Sequence, residues 1–138
     1  MKSYISQFNE HLISFINDLQ FLNIKNIKNM NYYLKFNHKI GINIFRQYIL
    51  YNEINRIMIF EQNESFFLSQ QYVENDNGTI SQIISELKKE WCQLDEENKQ
   101  KIWDYFKVLI YFSDKDLDID TSNYNKQIKQ NYSRCVDI

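Results

Sequence analysis

Metal or nucleophile chemistry in this chain would have to start from two histidines, His11 and His38, and two cysteines, Cys92 and Cys135. None has a partner at ligand spacing. The cysteines stand 43 positions apart, neither C-x-x-C nor H-E-x-x-H occurs, and each histidine is isolated. A structural zinc site draws its four ligands from close pairs of such residues, so no metal and no cofactor is expected. Gly41 and Gly78 are the only glycines. A phosphate-binding loop needs several, because only glycine lets backbone N–H groups come close to a phosphate. No G-x-S-x-G occurs. Glu86 and Glu90 lie four apart, the spacing a carboxylate metal site uses on a helix, but the histidines of such a site are missing and a charged helix surface explains them. No catalytic residue is assigned, and the protein is not expected to be an enzyme.

Binding chemistry leaves more to read. Between Asp18 and Glu53 there is no acidic residue, while Lys25, Lys28, Lys35, Lys39 and Arg46 fall there among Tyr32, Tyr33, Phe36 and Tyr48. Cations beside aromatic rings are what phosphate neutralisation and base stacking use. The isoelectric point of about 5.7 opposes general attraction to a polyanion. A solvated helix face is therefore the default, and nucleic-acid binding through these five residues the alternative. From Glu61 to Glu97 nine carboxylates meet only Lys88 and Lys89. The two segments either pair within the molecule or attract an oppositely charged partner, a second copy included. Phe66-Phe67, beside an acidic stretch, has the composition of an exposed aromatic anchor for a protein partner.

These side chains must be positioned by helices. Ile5, Phe8, Leu12, Phe15, Leu19 and Leu22 recur at three and four, which predicts a helix over 3–22. Ile24, Ile27, Met30 and Leu34 continue the period, and Ile40, Ile44, Phe45, Tyr48 and Ile49 fit a further face. Residues 54–68 read as helix turns or as a hairpin, and the helical neighbours favour helix. Residues 72–79 hold the best loop, with Asn77-Gly78 as its turn. Thr79 and Gln82 make a capping-box pattern, and Asp95, followed by Glu96 and Glu97, caps the next helix. The two helices, over about 80–113, are expected to form an antiparallel hairpin with Trp91 packed on Trp103. Beyond Asp114 the chain turns polar, which predicts a tail over 114–138, either a short helix or disordered.

The composition also lacks Pro and Ala, against 20 Ile and 17 Asn. A coding bias toward A and T explains this and weakens any functional argument from Lys or Asn content. Without Ala, helices must be held by packing more than by propensity. No stretch approaches 18 apolar residues, and the first twenty residues are too polar for a signal peptide, so a cytoplasmic protein is expected.

Glu86-Leu87-Lys88-Lys89-Glu90-Trp91-Cys92-Gln93-Leu94, Asn98-Lys99 and the run Ile102–Leu109 together resemble the C-terminal helical hairpin of short proteins of large nucleocytoplasmic DNA viruses of the mimivirus kind. The matching pieces are W-x-x-L, the Asn-Lys pair and I-W-x-Y-x-x-x-L. The resemblance implies a small helical protein of the host cytoplasm or the virion and carries over no functional residue. The expectation is an all-α single-domain bundle of five or six helices over 1–113 with a polar tail. Its role is protein–protein interaction through a helical groove or aromatic patch, with a homodimer as one form of it.

Overall fold

The longest helix among the described residues is also the centre of the fold. In the computed structural model, which describes residues 2–19, 37–69 and 79–136, Glu96–Asp116 forms one 21-residue helix. Every residue from Ile102 to Ile110 is buried. An amphipathic helix at a surface buries one stripe, and one buried all round must be enclosed by neighbours. In chain order the helices are α1 (Tyr4–Asp18), α2 (Ile40–Tyr48), α3 (Glu53–Phe60), α4 (Glu64–Ser69), α5 (Thr79–Glu90), α6 (Glu96–Asp116) and α7 (Asn125–Val136). A 3-10 turn, Trp91–Gln93, links α5 to α6. The described residues contain no strand.

Local chemistry sets the helix ends. Ser3 caps α1 by accepting from Ser6 N at 3.1 Å, and Asp95 caps α6 by accepting from Asn98 N at 2.8 Å, as its sequence pattern predicts. Asn52 does the same for α3 and Asn63 for α4, each through a backbone N–H three residues on. Residues 54–68 are therefore two short helices joined at Gln62, whose φ of 54° lies in the left-handed region. The expected helix over 24–34, the loop over 72–78 and the side chains of the Thr79–Gln82 box lie outside the described residues.

Rings and Ile side chains fill the core. Phe8 meets Phe45 at 5.3 Å, Phe15 stacks on Tyr105 at 4.9 Å, and Trp91 meets Trp103 edge-on at 5.3 Å. Each fully buried side chain of this size contributes roughly 1.5–3 kcal/mol. The seam expected on α1 is the one buried, with Phe8, Leu12, Phe15, Ile16 and Leu19 inside.

Helix α6 packs most closely on α1 and α7, and Trp91, in the short link from α5, meets Trp103 on α6. Of the two alternatives for the tail, a helix is the one present. Helix α6 runs on to Asp116 and α7 lies against it, with Ile128 buried and the Tyr124 hydroxyl bonded to Asp114.

Candidate functional site

Three polar assemblies hang on α6, and two are internal ties. At its C-terminal end the Asp114 carboxylate, 1% exposed, accepts from Arg56 Nη2 at 2.7 Å and from the Tyr124 hydroxyl at 2.5 Å. Arg56 also donates to Glu53 at 2.9 Å. Burial opposes the charge on Arg56, but Asp114 and Glu53 outweigh it and raise the guanidinium above its ordinary range. Burial, then the hydrogen bond and charge of Asp114, push the Tyr124 phenol up, so it keeps its proton and stays a donor. Arg46 donates to the Ser113 hydroxyl and carbonyl and to Asp116, each at 2.9 Å. Two cations thus meet the carbonyl end of the helix, where its dipole favours positive charge.

One turn and more back, Lys107 is buried at 1% exposure and donates to Gln62 Oε1 at 2.6 Å. Gln62 exchanges hydrogen bonds with Gln100, which also donates to Asp104 at 2.9 Å. The assembly joins the turn after α3 to α6. The third assembly borders a cleft of about 130 Å³ between α1 and the start of α6, where Tyr105 donates to Asp18 at 2.6 Å beside Asn98 and Lys101. A second cavity of about 30 Å³ is walled only by apolar residues of the core and has no polar group to hold a water.

The residues singled out in the sequence are dispersed by the fold. Phe67 is 3% exposed and packs on Trp91, Trp103 and Phe106, so it is a core residue and not an exposed anchor; Phe66 is half-buried. On a six-residue helix, neighbours point about 100° apart, and α4 turns one ring inward. Lys25, Lys28 and Lys35 lie outside the described residues. Lys39 is exposed just before α2, while Arg46 is committed to Ser113 and Asp116. Arg46 thus pairs with a carboxylate after residue 113, not with the acidic segment over 61–97. Glu86 pairs with Lys89 at 3.2 Å. Among the described residues no group of three or more His, Cys, Asp or Glu is placed to hold a metal ion.

The surface that periodicity did not single out is apolar. Six large hydrophobic side chains are exposed among the described residues: Tyr4, Tyr51, Ile54, Ile57, Leu117 and Ile119. All but Tyr4 stand on two segments that an ion pair and a ring contact join. Tyr51, Ile54 and Ile57 lead into and line α3, Leu117 and Ile119 follow the end of α6, and the Arg56–Asp114 ion pair with the Phe60–Tyr124 ring contact at 4.5 Å ties α3 to that end. A signal was present in the sequence. Ile54, Ile57, Met58, Ile59 and Phe60 surround a two-turn helix, which cannot bury its whole circumference unless neighbours enclose it. An open groove of about 430 Å³ also runs between α1, α6 and α7, past Gln7, Phe112, Ile128 and Lys129.

No protein-family model, curated protein or solved structure matches the chain. No helix among the described residues is long and apolar enough to cross a membrane.

Proposed function

We propose that the protein is a non-enzymatic interaction module that takes a protein partner on the end of the bundle formed by α3 and the α6–α7 connection. The observation that carries this is the collection of Tyr51, Ile54, Ile57, Leu117 and Ile119 there, while the rest of the described surface keeps only Tyr4 of comparable exposure. Scattered exposed hydrophobics are ordinary, but large ones gathered at one place mark an interaction surface. The polar clusters on α6 support the same reading, since their hydrogen bonds are spent on joining helices. The viral resemblance of residues 86–109 assigns no residue a role.

The test is affinity capture from the native source with the wild-type chain and with the double variant Ile54→Gln/Ile57→Gln. Gln keeps helix propensity, and exposed substitutions of this kind shift stability by no more than about 0.5 kcal/mol. The expected outcome is a protein retained by the wild type and lost by the variant at an unchanged melting temperature. Equal capture by both would remove this surface from the function.

A further inference from the structure

We infer that the partner segment seated on this end is a cationic amphipathic helix; this rests on the interaction reading above and adds the partner's chemistry. Along α3, Glu53, Ile57 and Glu61 follow one another at four-residue spacing with Ile54 beside them, and all four are exposed. The apolar pair is thus bracketed by two carboxylates about 12 Å apart along the helix axis. Past α6, Asp118 and Asp120 are exposed and flank the exposed Ile119. Carboxylates outnumber cations there: Glu53, Glu61, Asp114, Asp116, Asp118 and Asp120 stand against Arg46, Arg56, Lys115 and the exposed Lys126. Arg56 divides its one charge between Asp114 and Glu53, Arg46 is held by Asp116 and Ser113, and Lys115 sits 5.7 Å over the Tyr111 ring.

An acidic rim around apolar side chains selects among occupants. A second copy docked face to face would set Glu53, Glu61, Asp118 and Asp120 against their own equivalents, and like charges across an interface disfavour pairing. Nucleic acid and anionic membranes are repelled for the same reason. A purely apolar partner would strip water from the carboxylates without replacing it. A helix with apolar residues at i, i+3 and i+4 covers Ile54 and Ile57, and Lys or Arg about eight positions apart on its flanks reaches Glu53 and Glu61.

The test uses a labelled model helix of about 18 residues made of Leu and Lys in amphipathic order, long enough to be helical, and a counterpart with Glu for Lys. Binding to the full chain is read by fluorescence anisotropy at about 50 mM and about 500 mM NaCl, where screening differs strongly. The cationic peptide is expected to bind and to weaken about tenfold at the higher salt, and the anionic one not to bind. Glu61→Lys with Asp118→Asn should weaken the cationic peptide about tenfold, whereas Glu90→Gln with Glu97→Gln, away from this end, should leave it unchanged. Ile54→Gln/Ile57→Gln should abolish binding at an unchanged melting temperature. The inference is overturned if the cationic peptide fails to bind, if both peptides bind alike, or if both charge-variant pairs weaken it equally. It is equally overturned if sedimentation of the protein alone shows a dimer that the Ile substitutions dissolve, which assigns the face to a second copy. If those substitutions still release the natural partner while the peptide preference fails, the interaction reading stands and only the cationic class falls.

Discussion

Asp114 illustrates how single residues hold this molecule. Its carboxylate is taken wholly out of water and repaid by a guanidinium and a phenol, and a buried ion stripped of its partner is far more harmful than one never placed there. Asp114→Ala is expected to destabilise the fold by about 3–5 kcal/mol, because Arg56 would lose its buried counter-charge. Tyr124→Phe, which removes one neutral donor, should cost about 1–2 kcal/mol; chemical denaturation of the two variants checks the order, and equal losses would contradict it. His11 sets a pH dependence. It is buried and stacked on Phe112 at 5.2 Å, and burial lowers its pKa against the smaller opposing pull of Glu10. The unfolded chain therefore takes up a proton near pH 6.5 that the folded protein resists, so stability is full above that pH and declines as pH falls through it. Melting temperatures between pH 7.5 and pH 5 should show the decline in the wild type and a flatter profile in His11→Leu; parallel profiles would rule the histidine out as its source.

Among the elements, α7 decides where the domain ends. Its sequence is polar and its register weak, yet Ile128 is 4% exposed in the contact with α6, and Tyr124 anchors the turn before it. Ile128→Ala is expected to cost about 2–4 kcal/mol in global unfolding followed by urea titration. A loss below about 0.5 kcal/mol, the scale of surface substitutions, would show that α7 docks without supporting the rest. Helix starts, by contrast, were open to reading from the residues: Ser3 and Asp95 are capping types, and each accepts the N–H three residues on. The helix pair at 53–69 was only half legible, because short apolar runs fit either period until Asn52 and Asn63 are seen as caps.

At the scale of the molecule, an α6 enclosed over Ile102–Ile110 predicts a gradient of stability. Amide hydrogen exchange should be slowest over Ile102–Ile110 and follow global unfolding there. The same measurement should find α3 and α4 faster, since one is short and exposes an apolar face and the other has a single buried residue. Protection in α3 equal to that of α6 would contradict this arrangement. The capture experiment on Ile54 and Ile57 belongs to the same scale, because the apolar end exists only through the joining of α3 to the α6–α7 connection.

Sequence by itself determined what depends on near neighbours. Apolar spacing of three and four made the chain helical, and Asp95 before one such run marked a helix start. It also paired Trp91 with Trp103, since a short connection brings both to one place. Only the tertiary structure decided burial around a helix. Asp104 and Lys107 would mark the solvent side of α6 in isolation, yet both are 1% exposed: Gln62 reaches over from the turn after α3 to accept from Lys107 and to bond Gln100, which donates to Asp104 one turn on. The same holds in reverse on α3, where Ile54 and Ile57 have the composition of a core and stay outside. Periodicity records which residues share a face; how many neighbours surround that face is a property of contacts distant in sequence, and that is where the candidate surface was hidden.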